Sequence, residues 1–398
     1  MPDTDHISPF MWRCLKEGDD VYCAYDTKYD GRDDLRIKSF QEYDNFYFIN
    51  LRPFFLIPRF FQIIFLNLLT IYFFLKCTKI DVVYFEWGEG LPRIRGARWL
   101  LNFFFGAIRI QILRISKKIS LRTICLPHGL NTKINILTNP HVVRVFKENG
   151  GRLPFGDRND FSRYVFANPR HRDLFLKHSD LDPSVAVAWG SLRFCPRWRE
   201  NLRAIMPELP QNLRSNLGCL IVFFLPKWHN HVDRLATIAL IQAVLAVPGV
   251  KVVLKDHPRK GVANLSEEEG DSLARFPNFL IAPPEWESFS LIEASDAIID
   301  VGSSIIFDAL IDGKPFIYPK YLHSNHLIFE DLEGAIVCKD AAQVVSAINS
   351  ILAAPIQKRF KIQSSELVRE MIYAGKYPYD VLDFYYNKIR DLAVQVKQ

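Results

Sequence analysis

Three short polar runs in the second half of the chain carry residue types that bind phosphate or move protons: "PKWHNH" (226–231), "DHPRKG" (256–261) and "GSS" (302–304). Each follows a run of apolar, β-forming residues, so each is expected at the carboxyl end of a strand. In a parallel sheet, loops and helix starts converge on a ligand there. In "AIIDVGSSIIFDALIDGKPFIYP", Gly302 permits a tight turn and Ser303 suits an N-cap. Ile305, Ile306, Ala309 and Leu310 form one apolar helical face, which ends at Gly313 and Pro315. The N–H groups of Ser303 and Ser304 are then expected to be free at the helix start, where they and the two hydroxyls make an anion site. A capped helix with nothing bound has the same pattern. In "LKDHPRKG", Pro258 holds the chain after the strand in an extended turn, so His257 projects from the sheet edge and can donate to a phosphate oxygen, with Arg259 and Lys260 adding charge.

The first half offers "CLPHGLNTK", in which His128 again stands at a strand end, followed by Gly129, Asn131, Thr132 and Lys133. His128 reads as a general base or as a structural histidine. Further candidates for cleft or acceptor contacts are Glu86, Lys133, Lys227, His229 and Arg193, the last in "WGSLRFCPRW", where a plain glycine turn at the domain junction is the alternative.

These loops need sheets to hold them. At 398 residues the chain suits two domains of roughly 200 residues each. Strands are expected at 81–87, 123–128, 164–167 and 185–190, then at 219–225, 251–255, 279–282, 297–301 and 316–319, with helices at 232–247, near 288–295 and at 304–312. The polar, proline-bearing stretch 196–216 is the expected junction. The expectation is an α/β chain of two Rossmann-like doubly wound domains facing a central cleft: 1–205 on the acceptor side, with membrane-associating segments, and 216–398 binding the nucleotide donor. The helical tail from 378 can cross back onto the first domain.

Together, "PHGLNTK", "LKDHPR" and "DVGSSIIFDALIDGKPFIYP" resemble bacterial surface-polysaccharide transferases of the GT-B architecture: CDP-glycerol glycerophosphotransferases, capsule Kdo transferases and bacterial sialyltransferases. The resemblance covers about a third of the chain. It implies nucleotide-phosphate contacts from His257, Pro258, Arg259, Gly302, Ser303 and Ser304, and a catalytic role for His128 alongside His257. It also implies a nucleotide-activated donor, with cytidine favoured, and a saccharide or lipid-linked acceptor. Leu130 and Asn131 depart from the Thr-Pro that follows His-Gly in the teichoic enzymes, which argues against glycerol phosphate as the transferred group. The expected mechanism uses no metal and no cofactor: fixed donors meet the charge growing on the leaving phosphate, and His128 takes the acceptor's proton.

Two other chemistries are compatible with parts of the sequence. A sugar-nucleotide 2-epimerase would use the same phosphate edge together with cleft carboxylates, for which Glu86, Glu89, Glu285, Glu287 and Glu293 are available. His229, His231 and Asp233 spell HxHxD, the ligand spacing of a metal-dependent hydrolase, although Arg234 stands where that motif carries a second histidine.

Composition bounds the setting. Seven single cysteines without a CxxC pair argue for a reducing compartment, and the acidic N-terminus is unlike a signal peptide, so a cytoplasmic location is expected. The net charge is +6, and the basic residues are unevenly spread. From 91 to 122 there are eight basic residues and no acid, interleaved with "WLLNFFFGAIRIQIL". Residues 60–75 are apolar but short of the roughly 20 that span a bilayer. Both stretches suit either buried helices or a surface resting on an anionic membrane on its cytoplasmic face. Nothing in the sequence matches a nucleic-acid-binding signature.

Overall fold

The computed structural model describes residues 4–25, 34–50, 80–86, 88, 90–91, 108–127, 129–130, 140–213, 218–256, 264–331, 335–353 and 366–394. The chain divides into two compact units: Met1–Leu130 with His141–Ile205 and Glu370–Gln398, and Asn131–Pro140 with Met206–Arg369.

In the first unit, β3 (Val82–Glu86), β4 (Arg122–Leu126), β5 (Arg163–Phe166) and β6 (Ala186–Ala188) form a parallel sheet in chain order, and β1 (Val21–Tyr25) pairs in parallel with β2 (Phe46–Asn50). Helix α1 (Thr4–Lys16) precedes β1 and buries Phe10, Met11 and Leu15; α2 (Leu35–Phe40) follows β1. Further helices of this unit are α3 (Ile108–Lys118), α4 (Pro140–Glu148), α5 (Pro169–His178) and α6 (Pro196–Ile205). Cys125, Phe161, Tyr164 and Phe166 form a core against the sheet.

The second unit is a six-stranded, all-parallel sheet of order β12-β11-β10-β7-β8-β9. Its strands are β7 (Cys219–Phe224), β8 (Val250–Lys255), β9 (Phe279–Ile281), β10 (Ala297–Ile299), β11 (Phe316–Pro319) and β12 (Ala335–Cys338). Helices α7 (Arg234–Leu245), α8 (Glu267–Ala274), α9 (Ser288–Ala294), α10 (Ile305–Ile311) and α11 (Ala341–Ala353) alternate with them. β7, "CLIVFF", is buried along its whole length, which is why it reads as an unbroken apolar run: a central strand of a two-sided parallel sheet has no wet face. The order reverses at β7, with β8 and β9 on one side and β10 to β12 on the other, so the topological switch point lies between the ends of β7 and β10.

Residues 370–398 belong to the first unit, whereas the sequence reading assigned them to the second domain with the option of crossing back. The reason is local packing. Helix α12 (Glu366–Tyr373) offers the Met371 carbonyl to Asn168 Nδ2 at 3.1 Å and the Ile372 carbonyl to Ser191 N–H at 2.6 Å. Helix α13 (Asp380–Val394) buries Val381, Leu382 and Tyr385, and the Tyr385 hydroxyl donates to the Gly190 carbonyl at 2.6 Å. Gly190 sits at φ +103°, and a Cβ there would lie 3.0 Å from Val381 Cγ1 and 3.2 Å from the Tyr373 backbone, so a side chain would push this tail away.

No described helix is long and apolar enough to cross a membrane. The apolar run 60–75 lies outside the described residues, as do residues 92–107 of the basic stretch.

Candidate functional site

The second unit's best-defined polar feature is the turn after β10. Asp300 is 3% exposed, and it organises the next three residues: its Oδ1 accepts from Gly302 N–H at 2.6 Å and Ser303 N–H at 2.8 Å, and its Oδ2 from Ser303 Oγ at 2.6 Å. Burial pushes the Asp300 carboxyl above its ordinary range, and the bonds from Ser303 and Gly302 pull part of that shift back. This corrects the expected role of Ser303. Its N–H is spent on Asp300 instead of facing a ligand, its Oγ accepts from Ile305 N–H at 3.2 Å, and Ser304 occupies the N-cap position of α10. Among the described residues, Ser304 N–H and its half-buried hydroxyl make no hydrogen bond, so Ser304 is the donor this turn presents. Gly302 is required by its backbone, at φ +127°, and by space: a Cβ there would fall 2.5 Å from Leu327 Cδ1.

Across the switch point lies the loop after β7. Lys227 is half-buried and precedes a 3-10 turn over Trp228–Asn230, which holds the backbone of His229; the His229 side chain lies outside the described residues. The Asp233 carboxylate of the HxHxD stretch is the N-cap of α7, accepting from Ala236 N–H at 2.9 Å, and His231 takes the left-handed conformation at φ +60°. Arg234 pairs with Glu269, at 2.5 Å to its Oε2, and lies 5.1 Å from the Trp228 ring centre. Asp233 and Arg234 therefore have local structural work, and no three His, Cys, Asp or Glu side chains gather among the described residues.

At the end of β8, Lys255 Nζ donates to the Pro283 and Pro284 carbonyls at 3.0 and 3.3 Å. Burial lowers its pKa, while Glu287, Asp256 and Glu285 act against that shift. His257, Pro258 and Arg259 lie outside the described residues, and so do His128, Lys133 and Glu89. Lys314 of the "GKP" segment is structural: its Nζ donates to the Glu293 and Ser295 carbonyls at 2.8 and 2.7 Å, closing the carboxyl end of α9.

In the first unit, Glu86 ends β3 and is half-buried. Arg193 lies in a 3-10 turn after β6, 3.7 Å from Asp5 and 5.3 Å from the Phe194 ring centre. It shares the Asp5 carboxylate with Arg36, so it is not an unpaired cation awaiting a charged acceptor. The structure thus gathers Lys227 and the Gly302–Ser304 turn on adjacent strands of one sheet, and places Glu86 and Arg193 in the other unit.

Two sets of residues escaped the sequence reading. Asp300 was legible, because Asp followed by a glycine-serine turn is an Asx-turn signature. The other set is the segment after β11, where hydrogen bonds link Tyr318, His323 and Asn325, and Glu330 separately gathers Lys320, His326 and Leu327, with no motif to announce either.

No protein-family model matches the sequence, and no curated protein does. Solved structures do match in fold. A UDP-GlcNAc 2-epimerase of Methanocaldococcus jannaschii, solved with UDP-GlcNAc and UDP, is similar over 97% of each chain at 13% identity, with a TM-score of 0.53. The UDP-GlcNAc 2-epimerase of Neisseria meningitidis bound to UDP-GlcNAc covers 98% of this chain and 97% of its own at 13% identity, with a TM-score of 0.52. A glycosyltransferase of Rickettsia africae ESF-5 covers 98% of this chain and 94% of its own at 13% identity, with a TM-score of 0.53. At these identities the likeness establishes the fold: the GT-B architecture of two Rossmann-like domains.

Proposed function

We propose that this chain acts on a nucleotide-activated sugar, with the diphosphate held at the carboxyl edge of the second sheet, and that its reaction is inversion at C2 of the sugar. The observation that carries the first part is the Asp300-organised turn beside the switch point, which leaves the Ser304 N–H and hydroxyl without a hydrogen bond among the described residues. His257, Pro258 and Arg259 complete the phosphate contacts in this reading, and their part rests on the sequence. What supports C2 inversion is that 2-epimerases match this chain in fold over nearly all of both lengths.

Inversion at C2 removes a proton from one face of the sugar and returns one to the other, so it needs proton-transfer groups but no second substrate. Glu86 at the end of β3 and His128 are the first unit's candidates. The electron pair left at C2 forms a C1–C2 double bond as the C1–O bond to the diphosphate breaks, the fixed donors of the second unit stabilise the charge on the departing oxygen, and the diphosphate re-forms its bond to C1 as a proton returns to C2. The second reading is transfer of the sugar or a polyol phosphate to a saccharide or lipid-linked acceptor during surface-polysaccharide synthesis, with His128 taking the acceptor's proton. The three quoted motifs favour it, and the Rickettsia fold match is compatible with it. The basic, aromatic first-half segments would then rest on an anionic membrane surface.

A thermal-shift screen of UDP, CDP, CMP and GDP tests the shared part. A ligand at about 100 times its dissociation constant stabilises by about 2.7 kcal/mol, so the right nucleotide stands out, and no shift with any of the four refutes the reading. Incubation with UDP-GlcNAc in deuterated water, without acceptor, separates the two reactions. The 2-epimer with deuterium at C2 supports inversion; turnover that appears only when an acceptor is added supports transfer.

A further inference from the structure

The segment after β11 crosses the sheet edge at the switch point. Its Leu322 carbonyl accepts from Asp233 N–H at 2.8 Å, and Asn325 Nδ2 donates to the Asn230 carbonyl at 3.1 Å, so it is tied to the loop after β7, two strands away. Between those strands ends β10, and there Leu327 lies directly over Gly302. The segment is closed on itself by Glu330, whose side chain is only 8% exposed: it takes Leu327 N–H at 3.2 Å, His326 Nδ1 at 2.9 Å and the Lys320 ammonium. Burial pushes the Glu330 carboxyl up, and its bonds to Lys320 and Leu327 more than reverse this, so it is held as the anion.

His323 joins this strap to the sheet. Asn325 N–H donates to His323 Nδ1 at 3.0 Å, and His323 Nε2 lies 2.9 Å from the buried Tyr318 hydroxyl. A backbone N–H can only donate, so Nδ1 must be unprotonated and the ring proton sits on Nε2, directed at the Tyr318 oxygen. Protonating the ring would set two N–H groups against each other at Nδ1 and break the link to Asn325, the residue that reaches the β7 loop. The charged and titratable groups around the pair are Asp300 from the β10 turn, Tyr318 from β11, Asp233 from the β7 loop and, on the strap itself, Lys320, His326 and Glu330.

We propose that His323 is a positioning residue of the nucleotide site: its neutral Nε2–H tautomer fixes the 320–331 strap across the β7 and β10 loops and so forms one wall of the crevice that receives the nucleotide. This rests on the nucleotide-binding reading above. It adds a residue that no motif in the chain marks.

The test is UDP affinity of the full chain, or CDP affinity if CDP is the stabilising nucleotide, measured by titration between about pH 8 and about pH 5.5. His323→Asn keeps an acceptor near the Nδ1 position but cannot take a proton, whereas His323→Gln places its amide near Nε2 and loses that acceptor. The wild type should lose roughly five-fold more affinity than His323→Asn over this range, as expected for one backbone hydrogen bond of about 1 kcal/mol. His323→Gln should bind roughly five-fold more weakly than wild type at the higher pH, with its melting temperature in the absence of nucleotide confirming the fold. Titration of the ligand phosphates and of His257 is common to all three proteins and cancels in the comparison. Identical pH dependence in wild type and His323→Asn overturns the proposal. Hydrogen exchange on the wild type needs no variant: the Asn325 amide must gain protection when nucleotide binds, and unchanged protection also overturns it. Absence of nucleotide binding by the wild type instead refutes the functional reading itself.

Discussion

Asp300 is the most informative residue to change, because it carries both a structural and an electrostatic load. Its carboxylate takes three hydrogen bonds, from Gly302 N–H, Ser303 N–H and Ser303 Oγ, at 2.6, 2.8 and 2.6 Å. A hydrogen bond to a charged group contributes about 1.5–3 kcal/mol, and Ser303 is exposed, so water recovers most of what its two donors lose. Asp300→Ala should therefore cost about 2–4 kcal/mol in equilibrium urea unfolding, chiefly from Gly302 N–H and the freed turn. Asp300→Asn keeps Oδ1 for both N–H groups and removes a buried charge, so it should stay within about 1 kcal/mol of wild type. The pH dependence has a definite sign. The folded carboxyl titrates above its unfolded counterpart, so between the two values the folded state holds more protons and stability falls as pH rises. Wild type should thus gain on Asp300→Asn as the pH is lowered from about 7 toward about 4, the unfolded carboxyl's range. Nucleotide affinity should drop in Asp300→Ala and survive in Asp300→Asn. An Asp300→Ala protein as stable as wild type, with unchanged nucleotide affinity, would refute the claim that this carboxylate builds the turn.

Gly302→Ala adds a methyl at φ +127° and 2.5 Å from Leu327 Cδ1, so it should destabilise by about 1–3 kcal/mol and weaken nucleotide binding, both measurable in the same unfolding and titration assays. Lys314→Met should lower stability by about 1–3 kcal/mol in urea unfolding and leave nucleotide affinity unchanged, because the ammonium serves two carbonyls at the end of α9 and no ligand. Burial pushes the thiols of Cys23 and Cys125 up to about 12 and that of Cys338 up to about 11, so labelling of the native protein by iodoacetamide near neutral pH should be slow at these three and become fast in urea, as read by peptide mass spectrometry.

Much of the second unit can be read directly from the sequence. The expected strand at 316–319 matches Phe316–Pro319, and those at 219–225, 251–255, 279–282 and 297–301 differ from the observed strands by a residue or two at their ends. These strands are short, mostly apolar and bounded by Gly, Pro or polar residues, so length and flanks identify them without periodicity. β1 and β2 were harder, because "VYCAY" and "FYFIN" are short, and α1 was missed because Pro9 stands inside it. The hydrogen bonds of the segment after β11 were harder still. Nothing local to Leu322 or Asn325 indicates that they bond to Asp233 and Asn230, about ninety positions earlier in the chain.

What the sequence determined by itself is the alternation of buried strand and helix, and with it the placing of polar loops at carboxyl strand ends, since both follow from hydrophobic runs and turn residues only a few positions apart. Which polar groups are already engaged was decided by tertiary structure. Ser303, Asp233, Lys314 and Arg193 all look available in the sequence, and each is engaged by Asp300, α7, α9 or Asp5 once the chain is folded. The reason is physical: burying a polar group without a partner costs more than a satisfied bond returns, so folding assigns partners first, and a ligand is left with the donors that the protein itself does not use.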